Sequence, residues 1–160
     1  MNIKLKNVKH LVFSSNETEC FEAAIYINNK KAGFAHNSGQ GGPTNITPYA
    51  TYQIIENYAK TLPKIDLYAY SVSQSNNFNE FGGDSSRFMD QDADIFINTL
   101  LNQHLQEKHL KKLCKKQVLF RKPNTTYQDN EYDVINLKFS LEIKNKIIAK
   151  YGVGTTFLNS

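Results

Sequence analysis

The segment Asn37-Ser38-Gly39-Gln40-Gly41-Gly42, between an expected strand and an expected helix, has the composition of a phosphate-binding loop. Glycines there let backbone N–H groups approach an anion closely. A nucleotide or phosphoester enzyme using the loop from Ser38 to Thr47 is therefore one functional reading. Its candidate residues are Asn37, Gly39, Gln40, Gly41 and Gly42. The spacing opposes a dinucleotide fold, because the last glycine of that fingerprint is replaced by Thr44. No Gly-Lys-Ser/Thr follows, which excludes a P-loop. The competing explanation is conformational: Gly41 and Gly42 supply positive φ in a tight connection.

Metal and nucleophile readings fail on geometry. His104 and His109 flank Glu107, but a helical zinc pair needs histidines four apart; five apart, they sit about 140° from each other around the helix. Asp90, Asp92 and Asp94 open like a calcium loop, yet Ile95 and Leu101 stand where its glycine and glutamate belong. They read better as charges at a helix start. Cys20 and His36 suggest a nucleophile and its base, but an expected hairpin parity places them on opposite faces. No catalytic set, metal site or cofactor is expected.

The strongest chemical signal is basic. Lys108, Lys111, Lys112, Lys115 and Lys116 follow the i, i+3, i+4, i+7, i+8 spacing of one helical stripe, and Arg121 and Lys122 extend it. Leu110, Leu113 and Cys114 fall opposite and should face a core. From Glu107 to Lys122 there are seven basic residues and one acid, whereas Glu80 to Asp94 holds five acids and one base. Such a stripe is either a solvated face or a surface for RNA, DNA or an acidic protein patch. No aromatic residue interleaves it, which weakens single-strand stacking. The chain has 17 Lys but two Arg, and bidentate base reading favours Arg. A dedicated sequence-specific DNA reader is disfavoured.

The elements that must hold these residues are α+β: a mainly antiparallel sheet, a long basic helix and two shorter helices. Ile3, Leu5, Leu11 and Phe13 alternate as one or two strands. Cys20 to Ile27 and Ala32 to His36 form a hairpin across the turn Asn28-Asn29-Lys30-Lys31, in which Phe34 and His36 share the face of Phe21 and Ile25. Thr47-Pro48 reads as N-cap and first turn of a helix reaching about Thr61, burying Tyr52, Ile55, Tyr58 or Ala59, and Leu62. Ile65 to Val72 is a strand and Ser73 to Ser86 a mobile polar loop. The long helix spans about Arg87 or Asp92 to Lys116. Strands at Val118 to Phe120, Tyr132 to Phe139 and Thr155 to Leu158 follow, with a helix from Leu141 to Tyr151 before the last.

At 160 residues and 18.3 kDa the chain has the size of one domain, residues 1–160, too short for a doubly wound dehydrogenase or a TIM barrel. Its 10 Phe and 9 Tyr are enough to build a core. No run approaches the roughly 20 apolar residues of a membrane span, and Met1 to Lys6 alternates charge with apolar residues. The two cysteines are too few for a disulfide scaffold. A cytoplasmic protein with no membrane role is expected.

The run Glu17-Thr18-x-Cys20-Phe21-x-Ala23, then Tyr26, Lys31-Ala32-Gly33 and Asn37-Ser38-Gly39-Gln40-Gly41-Gly42, resembles a pattern in small proteins carried by phages and other mobile elements. The Lys-rich helix leading into Val118-Leu119-Phe120, and the ending Phe157-Leu158-Asn159, are also similar to that group. That pattern often has an acid where Ser38 stands and a histidine where Gln40 stands, so this chain lacks two ionisable groups at its loop. The resemblance implies a mobile-element origin. By analogy with phage proteins that inhibit bacterial defence, anti-CRISPR proteins among them, the expected function is inhibition by binding. The partner would be a host effector nuclease or its bound nucleic acid.

Overall fold

The computed structural model describes residues 1–66, 88–128 and 131–159. The later part of the expected strand, Leu67 to Val72, and the expected loop Ser73 to Ser86 lie outside them. The fold is α+β, with helices and antiparallel sheets, as the periodicities predict. Its contacts group into two compact units, Met1–Asn102 and Gln103–Ser160. Among the described residues no helix is long and apolar enough to cross a membrane.

The first unit is built on an antiparallel sheet in the order β1-β2-β3-β4, comprising Ile3–His10, Phe21–Ile27, Lys30–Asn37 and Asn45–Thr47. Asn28 and Asn29 both have positive φ (48° and 66°), the conformation a two-residue hairpin turn demands. That turn pairs Ile27 with Lys30, but a bulge between Ile25 and Tyr26 then shifts the register, so Ile25 faces Gly33 and Phe21 faces Asn37. One extra residue inverts the parity read from the sequence. Phe34 and His36 are therefore exposed, and Ala35 and Asn37 are buried beside Phe21, Ala23 and Ile25.

Two further expectations change. Leu11 and Phe13 do not continue the strand: Val12–Ser14 forms a 3-10 turn. Thr47 is not an N-cap. It ends β4 opposite Phe34, and Pro48 caps α1 (Tyr49–Ala59) with no side-chain bond. α1 buries Thr51, Ile55 and Ala59, and Thr51 Oγ1 donates to the Ala32 carbonyl at 2.6 Å, tying helix to sheet. Tyr52 and Tyr58 are only half-buried; Tyr58 meets Phe96 edge-to-face at 5.5 Å.

The short strands β5 (Ile65–Asp66) and β6 (Phe88–Met89) pair just before the long helix α2, Ala93–Cys114. Ala93, Ile97 and Leu101 recur every four residues along it and are fully buried. Its first turn is held by two carboxylates: Asp92 Oδ1 accepts from Ile95 N and Glu56 Oε2 from Ala93 N, both at 2.8 Å. The Lys60 ammonium, and then this amide, hold the Glu56 carboxyl below its ordinary pKa. Glu56→Ala strips the partner from a fully buried residue's N–H. It is expected to lower stability by about 1–2 kcal/mol, read by urea unfolding, whereas Lys60→Ala removes only the pairing of an exposed ammonium and is expected to cost less.

In the second unit β7 (Val118–Arg121) lies between β8 (Asp133–Ile135) and β9 (Thr156–Phe157). Helix α3, Leu141–Tyr151, starts at Ser140, whose hydroxyl accepts from Ile143 N at 3.3 Å. Val118, Phe120 and Ile147 form the core, with Ile135, Phe139, Ile143, Tyr151 and Phe157 packed around them. Asn159 pins the end of α2: its Nδ2 donates to the carbonyls of Cys114 and Gln117, and its Oδ1 accepts from Leu119 N.

Candidate functional site

The glycine loop turns its polar groups inward. Asn37 is 4% exposed; its Oδ1 accepts from Thr18 Oγ1 (2.8 Å) and Gly39 N (2.9 Å), and its Nδ2 donates to the Gly42 carbonyl (2.8 Å). Gly41 N donates to Thr18 Oγ1, and Gln40 Oε1 accepts from Asn16 Nδ2. The Gly39 carbonyl receives the amides of Asn16 and Glu17 at 3.0 and 3.1 Å. Two of the N–H groups a phosphate would need are thus already donated within the fold. Gly39 and Gly41 are the residues with positive φ, at 83° and 85°. Gly42 is not, and a Cβ there meets nothing within 4 Å, which corrects its conformational assignment. At Gly39 a Cβ would collide with the Ser14 carbonyl and press on Cys20 Cβ.

The loop therefore clamps residues 14–18, so the segments before β2 and after β3 meet in space. Thr18, Asn16 and Ser14 complete this clamp and were missed by sequence reasoning, because nothing local links Thr18 to Asn37. The Cys20 backbone amide donates to the Ser15 hydroxyl. The β2–β3 bulge puts His36 opposite Glu22, on the parity of Cys20, so the opposite-face argument does not hold. No hydrogen bond joins Cys20 to His36 among the described residues.

The lysine face is open. Lys108, Lys111, Lys112, Lys115 and Lys116 are all exposed. The helix ends at Cys114 rather than Lys116, its last turn tightened by bonds from Lys116 N and Gln117 N to the Leu113 carbonyl. Lys108, Lys111, Lys112 and Lys115 border one surface hollow with His104 and Glu107, and Lys116 stands outside it. Lys111 approaches Glu107 at 3.8 Å, an exposed pair of little energetic weight. Leu110, Leu113 and Cys114 are half-buried, and Cys114 Sγ lies 3.4 Å from the Leu158 carbonyl. His109 borders a different hollow, with Leu105 and Tyr132, as its five-residue offset from His104 requires.

Arg121 and Lys122 do not extend the open face. Arg121 Nε donates to the Glu131 carbonyl at 2.9 Å. Lys122 Nζ pairs with Asp133 Oδ1 at 2.9 Å and lies over the Tyr151 ring. Asp133 also takes the Tyr127 hydroxyl, and that bond, followed by Lys122, holds its carboxyl below the ordinary value, while Asp133 raises Lys122. A depressed carboxyl contributes stability above its unfolded pKa and loses it as pH falls through the folded one. The parent protein is therefore expected to lose thermal stability below about pH 4, and Asp133→Asn to start lower and show a flatter acid limb in thermal melts.

The aspartates are likewise engaged: Asp90 pairs with Lys64 (3.2 Å), Asp92 caps α2, and Asp94 Oδ1 accepts from Thr44 N and Asn98 Nδ2. Among the described residues no three His, Cys, Asp or Glu side chains group to hold a metal ion. By sequence the second unit carries eleven basic and five acidic residues, the first eight and ten, so positive charge concentrates where the open lysines are. Comparison of the chain with protein-family models, curated proteins and solved structures gives no match.

Proposed function

We infer that this protein is a binding protein of mobile-element origin. It inhibits a bacterial defence nuclease by laying its lysine face on a polyanionic surface, the nuclease's nucleic-acid channel or the nucleic acid held there. The observation that carries the reading is the open lysine face: four of its lysines border one hollow. Lysines held without buried partners keep their charge for an external anion, and their summed field speeds encounter. The resemblance to phage-borne proteins supplies the mobile-element part of the reading, and the defence part rests on analogy with phage inhibitors of this size. The enzyme alternative has no comparable support, since the Gly39 and Gly41 amides are already bonded internally.

The test is capture on the immobilised full chain from bacteria carrying nuclease-based defence systems, with phage plating measured in the same hosts. The expected result is retention of an effector complex at low salt, its release as salt rises, and restored plating on expression. Unchanged plating together with no retained effector overturns the reading.

A further inference from the structure

The residues Leu11, Val12 and Phe13 form a contiguous apolar knuckle that the core does not use: they are 46%, 74% and 84% exposed. Single exposed apolar residues are ordinary, but three in succession ending in an almost fully exposed Phe are not. The knuckle is also held rigidly. Ser14 N and Ser15 N close the 3-10 turn onto the Leu11 and Val12 carbonyls, Ser15 Oγ bonds the Leu11 carbonyl, and Leu11 N donates to the Cys20 carbonyl. Behind it, Gly39 accepts the amides of Asn16 and Glu17 and packs closely against Ser14. A preorganised aromatic loses little conformational entropy on binding, which is the property of an interface anchor.

The surroundings state the partner's charge. Directly after the knuckle, Ser15 to Glu19 line a polar hollow with Asp94, Asn98 and Asn102, and that lining has three carboxylates but no Lys or Arg. The chain from His10 to Asn29 carries three glutamates and no Lys or Arg; Glu22 pairs with Lys9 and Glu19 with His10, which leaves the exposed Glu17 as the carboxylate that faces a partner. We propose that the Leu11–Phe13 knuckle and the acidic hollow beside it dock a protein segment in which apolar residues adjoin Lys or Arg. The apolar residues cover Val12 and Phe13, and the cationic side chain enters the hollow by Glu17. This surface lies in the first unit and has the opposite sign from the lysine face, so it would select a different partner or a different part of the same one.

The probe is a displayed library of random peptides panned on the purified full chain, with enriched peptides then synthesised and measured by fluorescence anisotropy. The expected peptides place Lys or Arg beside apolar residues. Their affinity should fall by about tenfold or more in Val12→Ser/Phe13→Ser and in Glu17→Lys, with melting midpoints within about 3 °C of the parent. Replacing Lys111, Lys112 and Lys115 with Glu should leave peptide binding unchanged, which separates this site from the lysine face. The proposal is overturned by enrichment of acidic or purely apolar peptides, by no enrichment, or by binding indifferent to Phe13. It is equally overturned if Val12→Ser/Phe13→Ser unfolds the protein, which would make the pair core. If light scattering shows a parent dimer that this variant dissociates, the knuckle is a self-association surface and the proposal falls.

Discussion

Exchange of Lys111, Lys112 and Lys115 for Glu is expected to weaken binding to a polyanionic partner by about a hundredfold or more, with the fold retained. The three side chains are exposed, so their replacement opens no cavity. Some stability is lost: Lys111→Glu places a second carboxylate one turn from Glu107, and acids at a helix C-terminus oppose its dipole, together about 1–2 kcal/mol. The parent's salt dependence says what the anion is. If the five lysines each neutralise one phosphate, affinity falls about 100- to 500-fold between roughly 50 and 200 mM salt, the lower figure for single strands and the upper for duplex DNA. An acidic protein patch, with no condensed counterions to release, gives a much shallower slope. Titrations of parent and variant across salt, with circular dichroism as the folding control, measure both effects. A Lys→Arg variant at the same positions keeps the charge and should keep binding. Full affinity in the Glu variant would mean that the stripe only solvates the helix.

What the sequence shows well is local periodicity. The apolar and charged spacing of Leu141 to Tyr151 marks α3 to the residue, whereas the fully buried side of α2 is carried by Ala93, Ile97 and Leu101 and the expected Leu110, Leu113 and Cys114 are only half-buried. Asn28-Asn29 turns the chain because few other residues accept positive φ, but the turn is shorter than the expected Asn28 to Lys31, since Lys30 and Lys31 already pair in β3. What it hides depends on single extra residues and distant partners. The bulge at Ile25/Tyr26 has no pattern of its own, yet it moves Phe34 and His36 from the buried to the exposed face. Leu11 and Phe13 alternate as a strand would, but the Ser15 hydroxyl and the Gly39 carbonyl draw that chain into a turn. β4 is missed inside a loop because it is three residues long and is defined by pairing with β3. The lysine face was legible because exposure and helical spacing suffice to define it. The commitment of Arg121 and Lys122 to the Glu131 carbonyl and Asp133 was not, since those partners lie on another strand and its approach.

Gly39→Ala is expected to be the most damaging single substitution in the glycine loop, and Gly42→Ala close to neutral. At Gly39 two costs act together. A φ of 83° lies in the left-handed region, about 1–2 kcal/mol unfavourable for alanine. The new Cβ would also overlap the Ser14 carbonyl oxygen, a backbone atom that cannot rotate away. Relief requires moving residues 14–17 and so weakening the bonds from Asn16 N and Glu17 N to the Gly39 carbonyl. The combined loss is about 3 kcal/mol or more, and the melting midpoint falls by about 6–12 °C. Gly41 shares the positive φ, but its Cβ would meet the end of the exposed Glu17 side chain, which can swing into solvent. Gly41→Ala should therefore cost the conformational part alone, about 1–2 kcal/mol. Gly42 has neither burden, and its variant should stay within about 0.5 kcal/mol of the parent. Urea unfolding of the three variants tests the order 39, 41, 42. A Gly42 variant as unstable as the Gly39 one would contradict the account of the loop as a clamp on residues 14–18. With Gly39→Ala the turn carrying Val12 and Phe13 also loses its backing. Basic peptides that bind the knuckle should then lose affinity even at temperatures where the variant is fully folded, because a mobile anchor must be ordered at the moment of binding.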